Sequence, residues 1–289
     1  MIKNNTLGII LAGGIGSRLY PLSSVGSKHF LPIYDKPMIF YPISVLMLAG
    51  IKDFVIVTQK KNIPIYREIL KNFKKLGVTF KFRIQNKALG IAHGLKIGSE
   101  RTKKNIALIL GDNIFFGHGF NLILKKLMKF DNEGQILVNS VKNPENYGVL
   151  VCDKKGLPKK IIEKPKKFIG SDAVVGLYFY KNSALKYLNS IKPSKRKELE
   201  ITDFNNILLQ KKLASYERLG RGFAWLDTGS PTRLLEASNF VEILEKRQGF
   251  KVACLEEIAL KQKFISRKKF LNIISKMANS EYKEYLKKL

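Results

Sequence analysis

The feature that most restricts the fold is an alternation, sustained from Leu7 to Phe130, of short continuous apolar runs with helix-length segments that stop at or near glycine. Leu7–Leu11 (LGIIL) is uninterrupted apolar sequence closed by Ala12-Gly13-Gly14, the pattern of a strand buried on both faces. The same pattern returns at Phe54–Thr58 and Asn105–Leu110, and Val78–Ile84 is a further strand. Between these runs, Pro37–Ala49 predicts a buried helix with Pro37 in its first turn and Gly50 as its stop. Pro64–Lys75 predicts an amphipathic helix ended by Gly77, and Gly90–Ser99 and Phe120–Phe130 predict two more helices. The alternation therefore predicts an α/β fold, a mostly parallel central sheet with helices on both faces and ligands at the carboxyl ends of the strands.

After Gln135 the pattern changes to strands with short connections: QILVNSV, GVLVC, KIIE and Ala173–Tyr180. These predict mixed or antiparallel additions to the sheet. Helices are expected again at Ser183–Ile191 and Ile201–Gln210, a strand at Ala214–Leu219, another ending at Asp227, and a helix from Ser230-Pro231 to a stop at Gly249. The Lys- and Leu-rich tail predicts helices packed on the body. No repeat or linker divides the chain, so residues 1–289 are expected to form one domain, with a catalytic core over 1–240 and a helical packing region over 241–289.

The formal net charge of +29 would suit nucleic acid, a membrane surface or a polyanionic substrate. Its distribution argues against the first. Of the 52 cations 42 are Lys and only 10 are Arg, spread along the chain, whereas a specific nucleic-acid binder concentrates Arg and aromatics in a module such as RNP1, a zinc finger or a helix-turn-helix. None of these modules is readable, so the charge is expected to be solvated surface, and a nucleic-acid-binding protein is kept only as the competing class. No apolar run approaches the roughly 18 residues of a membrane span, and the opening turns to glycine too soon for a signal peptide. The expectation is a cytoplasmic protein without membrane contact. Cys152 and Cys254 have no metal-like spacing and read as reduced thiols.

The chemistry starts at LAGGIGSRLYP (Leu11–Pro21), where three glycines on the turn after the first strand let backbone amides approach phosphate oxygens. A dinucleotide fingerprint would need Gly where Leu19 stands, and a P-loop would need Gly-Lys where Arg18-Leu19 stand, so both common readings fail. What remains is a glycine turn with Arg18 inside it and Lys28 shortly after, two cations suited to a triphosphate. In LGDN (Leu110–Asn113) and WLDTG (Trp225–Gly229), Asp112 and Asp227 follow apolar runs that should end at the sheet's carboxyl edge. Two such carboxylates suit Mg²⁺, which takes its other ligands from water and phosphate. In IIEKP (Ile161–Pro165), Glu163 is suited to sugar hydroxyls and Lys164 to a phosphate, against the plainer reading of an exposed charged pair.

Together with SKHFLPIYDKPMIFYP, LMLAGI, LGDNIFFGH, NPENYGV, GLYFY, ELEITDFN, GRGFAWLDTGS, EASNFV and RQGFKVAC, these segments run in order and near the spacing of one family. Over nearly its whole length the chain resembles the glucose-1-phosphate thymidylyltransferases. The resemblance implies a Rossmann-like nucleotidyltransferase fold, usually a homotetramer, that makes dTDP-glucose from dTTP and glucose 1-phosphate with Mg²⁺, the first step toward dTDP-L-rhamnose. It implies a triphosphate turn at Gly13, Gly14, Gly16, Ser17 and Arg18, with Lys28 holding phosphate during transfer. It assigns base recognition to Gln85 and Gly90, a nucleotide neighbour to Asn113, metal to Asp112 and Asp227, and the sugar phosphate to Gly148, Glu163, Lys164 and Val174. By the same resemblance, Arg18, Lys28 and Lys164 are expected to carry the catalytic charge.

The departures from that pattern are specific. Ser17 stands for the usual Thr, His29 for a common Gln, and Ala88–His93 for a Pro-acidic-Gly-Leu-Ala-Gln segment. Lys71–Val78 lacks the usual glycine-rich turn, and Leu255 replaces a typical Pro near the tail. A phosphate-monoester nucleophile is already ionised at neutral pH, since its second pKa is near about 6, so no general base is required. His29, His93 and His118 are accordingly expected to pack or line polar loops. One methyl group separates thymine from uracil and is worth only about 1–3 kcal/mol, so some UTP use is expected, and UTP- or CTP-dependent transfer is the alternative within the same chemistry.

Overall fold

The computed structural model describes residues 5–14 and 16–289. Ile15, in the middle of the glycine turn, lies outside the described residues. The first strand, β1 (Thr6–Ala12), is followed by a small hairpin of β2 (Pro32–Ile33) and β3 (Lys36–Pro37), and only then by the first helix, α1 (Phe40–Leu48). The helix expected from Pro37 starts three residues later because Pro37 pairs with Pro32 across the hairpin. Pro42 thereby becomes the third helical residue, where its missing N–H has no intrahelical partner to lose.

Next come β4 (Asp53–Thr58), α2 (Ile63–Leu70), β5 (Thr79–Ile84), α3 (Ile91–Gly98) and β6 (Asn105–Leu110). The helix predicted over 64–75 tightens to 3₁₀ geometry at Lys71–Leu76 and ends where Gly77 takes a left-handed φ of 78°. A short strand, β7 (Asn113–Phe116), and α4 (Phe120–Leu127) follow. Then come β8 (Gly134–Ser140), β9 (Gly148–Cys152), β10 (Pro158–Glu163) and β11 (Asp172–Tyr180), the run of closely spaced strands read from the sequence. The segment expected as a helix at 183–191 is 3₁₀ over Asn182–Ser190. The chain closes with α5 (Ile201–Gln210), β12 (Ala214–Arg218), β13 (Ala224–Asp227), α6 (Pro231–Gln248), α7 (Leu255–Lys261), α8 (Arg267–Ser275) and α9 (Glu281–Lys287).

These elements form a nine-stranded mixed sheet with the path β10-β9-β11-β6-β1-β4-β5, to which β8 attaches beside β11 and β12 beside β8. β5, β4, β1 and β6 run parallel, joined by crossovers, while β11 enters antiparallel to β6 and to β8. Alternation along each strand sorts side chains between the two faces. Ile10, Ala107, Ile109, Leu177 and Phe179 pack with α1, α2 and α4, whereas Ile9, Ile106, Leu108, Tyr178 and Tyr180 face α3 and α5. Apolar residues of the last three helices, among them Leu255, Phe270, Ile274 and Leu286, belong to the first of these clusters. Residue 240 lies inside the unbroken helix α6, so the packing region begins within an element rather than at a break.

Two pairings set up the site. The carboxyl ends of β1 and β6 are adjacent, with Leu11 opposite Leu110, which brings the glycine turn beside Gly111-Asp112. β7, the strand missing from the sequence reading, pairs antiparallel with β13 in the register Asn113 to Asp227 and Phe116 to Ala224. Aspartates 115 positions apart in the chain are drawn together by that register.

Candidate active site

A cleft of about 530 Å³ opens at the carboxyl edge of the parallel strands. Its walls include Gly13, Gly14, Arg18, Lys28, Gln85, Gly90, Asp112, Asn113, Gly148, Glu163, Lys164, Val174 and Asp227. Every candidate site residue singled out from the sequence therefore lines one cavity except Gly16 and Ser17, which belong to the same turn but lie outside its walls. Gly16 has a left-handed φ of 70°, which begins the 3₁₀ turn Ser17–Leu19, and its carbonyl accepts from Ser23 Oγ at 3.0 Å.

The charged groups meet as the topology requires. Lys28 Nζ forms an ion pair with Asp112 Oδ2, and its stem lies across the glycine turn, within 4.0 Å of where a side chain on Gly14 would begin. Burial would raise the Asp112 pKa, but the Lys28 ammonium outweighs it and holds the carboxyl at about 2, so it is ionised at neutral pH. On the opposite strand Asp227 Oδ2 accepts from Tyr147 Oη at 3.0 Å and from Arg233, while Oδ1 accepts from the Gly229 amide at 2.8 Å. The Arg18 guanidinium reaches the same corner, 3.6 Å from where a side chain on Gly229 would begin. Thr228 closes the junction, donating both N–H and Oγ to the Asp112 carbonyl at 3.1 and 2.9 Å.

Close packing behind these groups leaves no room for larger residues. A Cβ on Gly111 would sit 2.6 Å from the His29 ring, and one on Gly176 would sit 2.5 Å from Asn113 Oδ1. That Asn113 oxygen accepts from the Gly176 amide at 3.2 Å and from Trp225 Nε1 at 2.8 Å, locking the loop after β6 to β11 and β13. His29 is fully buried with Nδ1 2.7 Å from Ser27 Oγ, and burial, aided by Lys28, pushes its pKa down to about 3. A ring held neutral and shielded this way is a packing group, in line with the expectation from the sequence.

At the far wall, Glu163 Oε2 accepts from Thr202 Oγ1 at 2.6 Å and Oε1 faces Arg196 Nη2 at 3.4 Å. Lys164 is exposed to the cleft with φ 45°, an uncommon left-handed conformation for a non-glycine residue, stabilised by its N–H to the Tyr147 carbonyl at 2.9 Å. Gly148 sits where a Cβ would press on Glu163, Thr202 and Ile161. Val174 lies just before an irregularity in β11, between Val174 and Tyr178, that turns this strand into the cleft at Gly176. Near the end of β5, Gly90 has φ 99° and a Cβ there would fall 2.3 Å from the Leu199 carbonyl, so only glycine lets the loop lie against 198–200.

The structure adds residues that the sequence reading did not select. Tyr147, Trp225 and Arg233 surround Asp227 and Asn113, and Arg196 stands among Glu163, Glu198 and Glu200. The strings NPENYGV and GRGFAWLDTGS contained the first two, but nothing local marks Arg196 or Arg233, whose roles depend on partners far along the chain.

The donor set suits a hard divalent cation. Asp112 and Asp227 present only oxygen, face one cleft, and each already attracts a cation of the chain, Lys28 and Arg233 respectively. Among the described residues no group of three or more His, Cys, Asp and Glu could hold a metal alone, so phosphate oxygens and water would have to complete the shell, the habit of Mg²⁺.

With the geometry in hand, comparison with known proteins is specific. The family profile described as nucleotidyl transferase matches residues 7–243. A glucose-1-phosphate thymidylyltransferase of Neisseria meningitidis serogroup A is 42% identical over 283 residues, covering 98% of each chain. One from Mycolicibacterium smegmatis is also 42% identical, with 98% of each chain covered. In the crystal structure of a Bacillus anthracis protein described as a glucose-1-phosphate thymidylyltransferase, in complex with a sucrose, the fold superposes with a TM-score of 0.74 at 36% identity, covering 81% of this chain and 94% of that one. No helix among the described residues is long and apolar enough to cross a membrane.

Proposed function

The chain belongs to the nucleotidyl transferase family, and from that premise we propose that it transfers a thymidylyl group from dTTP to α-D-glucose 1-phosphate, releasing pyrophosphate. The observation that carries this reading is the convergence of Arg18, Lys28 and Lys164 with Asp112 and Asp227 around one cleft. Two anionic reactants repel each other, and a cavity lined by cations on both walls offsets that repulsion and holds them in register. A phosphate oxygen of the sugar phosphate attacks the α-phosphorus of dTTP in line, and the bond to the departing β-phosphate oxygen breaks. The nucleophile is ionised at neutral pH, so no residue has to take a proton, which accords with a neutral, buried His29.

In this scheme the amides of Gly13 and Gly14 and the side chains of Arg18 and Lys28 hold the triphosphate, with Gly16 and Ser17 shaping the turn. Gln85, Gly90 and Asn113 take the nucleoside. Lys164 takes the sugar phosphate, Glu163 accepts from sugar hydroxyls, and Gly148 and Val174 form the floor beneath the ring. Asp112 and Asp227 would hold Mg²⁺, which supplies positive charge to the phosphates. We further read residues 1–289 as one catalytic unit, cytoplasmic, assembled as a homotetramer and supplying dTDP-glucose toward dTDP-L-rhamnose.

Mass spectrometry of the product from dTTP, glucose 1-phosphate and Mg²⁺ tests the proposal. It should find dTDP-glucose and pyrophosphate, with turnover lost in EDTA and restored by added Mg²⁺. dUTP, which lacks only the methyl group, should serve about 10–200-fold less well, the worth of one methyl contact. A preference for UTP or CTP, or near-normal turnover in Asp112→Ala or Asp227→Ala, refutes it.

A further inference from the structure

We infer that His93 is a positioning residue that fixes the orientation of the Gln85 amide and thereby selects bases carrying an N3–H; this rests on the proposed role of Gln85 in base recognition. Gln85 is almost wholly buried at the end of β5, and its Nε2 lies 2.9 Å from His93 Nδ1 and 3.4 Å from the Gly90 carbonyl. A carbonyl accepts only from an N–H, so the Gly90 contact identifies that end of the amide as nitrogen. His93 Nδ1 must then be the acceptor, which requires a neutral ring with its proton on Nε2.

Both amide hydrogens of Gln85 are thus engaged by the protein, and the opposite end, Oε1, is turned toward Gly13. A Cβ on that glycine would begin 2.9 Å from Oε1. Gln85, Gly13 and Gly90 all line the cleft. With Oε1 presented, the side chain can accept at the N3 position but cannot donate. Thymine and uracil offer N3–H there, whereas cytosine offers a lone pair, which meets another lone pair.

The arrangement is sensitive to the charge of one ring. Burial, and then the Lys96 ammonium on the same helix, lower the His93 pKa below its ordinary value, which keeps the ring neutral and accepting at neutral pH. A protonated Nδ1 would instead point a hydrogen at Nε2 and favour the rotated amide, with nitrogen toward the cleft and the opposite base preference. His29 points to no such role, since it bonds Ser27 behind Asp112. From the sequence, His93 stands where a Gln is more usual and is expected to pack or line a polar loop.

The test compares wild type with His93→Leu, His93→Gln and Gln85→Ala, reading kcat and KM for dTTP, dCTP and glucose 1-phosphate. His93→Leu removes the acceptor and should raise the dTTP KM about tenfold with a smaller change in kcat, the scale of one hydrogen bond. The KM for glucose 1-phosphate should stay within about twofold, which shows that the cleft is intact. His93→Gln restores an acceptor that does not titrate and should recover most of the dTTP KM. Over the pH range in which NMR shows the His93 ring taking up its second proton, below the ordinary imidazole value, the wild-type ratio of dTTP to dCTP efficiency should fall while that of His93→Gln stays level. A dTTP KM in His93→Leu equal to that of wild type, an equal loss in His93→Gln, or parallel ratios across the pH range overturns the inference. Should Gln85→Ala also leave the dTTP KM unchanged, the base-recognition reading itself fails; a rise in that variant confines the failure to His93.

Discussion

Removing the ammonium that Asp112 faces isolates the central ion pair. Burial raises the pKa of that carboxyl, but Lys28, with smaller help from His29 and the Asn113 amide, brings it from 3.8 down to about 2. At about 1.4 kcal/mol per unit this corresponds to roughly 2 kcal/mol, and the Asp112 side chain, 19% exposed, is too enclosed for water to screen much of it. Lys28→Met should therefore cost about 2–3 kcal/mol at neutral pH by leaving a carboxylate unpaired in the cleft. Asp112→Asn should cost less, because a lysine stem can redirect its ammonium to water. In the double variant Lys28→Met/Asp112→Asn no unpaired charge remains, and the coupling from the cycle should be about 2 kcal/mol.

Urea denaturation of the four proteins at neutral pH measures this cycle, and pyrophosphate release measures activity in parallel. The double variant should regain stability without regaining turnover, since both groups are assigned to the reaction. The pH dependence has a definite sign. A carboxyl whose folded pKa is depressed contributes its stability in full above its unfolded value, 3.8, and loses it as pH falls toward about 2. Asp112→Asn should thus lack one proton's worth of destabilisation in that window. Additive single effects, with a coupling below about 0.5 kcal/mol, would show that the pair is incidental to the fold and refute the reasoning.

Two other expectations concern the frame of the site. Gly90→Ala forces a Cβ onto the Leu199 carbonyl at 2.3 Å in a backbone conformation unsuited to L-residues, so it should cost more than about 2 kcal/mol and raise the KM for dTTP more than that for glucose 1-phosphate. Urea melts and paired KM measurements check it, and wild-type behaviour in both sinks the account. Ser230→Ala removes the Oγ that accepts from the Arg233 amide at the start of α6, and should lower Tm by about 2–4 °C for the loss of about 1 kcal/mol. Calorimetry reads the shift directly.

The alternation of apolar runs with helical segments by itself determined the parallel strands β1, β4, β5 and β6, the helices between them, and the later strands β8 to β11. Period and punctuation are local properties, and they survive folding because each run has one place to bury itself. The ends moved where two elements compete: Pro37 was claimed by a hairpin partner, and Lys71–Leu76 tightened to 3₁₀ before Gly77. Asp112, Asp227, Arg18, Lys28 and Lys164 were readable because each stands in a distinctive string. What only the tertiary structure decided was their company. β7 is four residues long and polar at its first position, too short to display a period, yet its pairing with β13 sets Asp227 beside Asn113. Arg233, Arg196 and the contact between His93 and Gln85 are likewise matters of who stands opposite whom. Local propensity decides which elements form; hydrogen-bond register and side-chain reach across the cleft decide which charges meet.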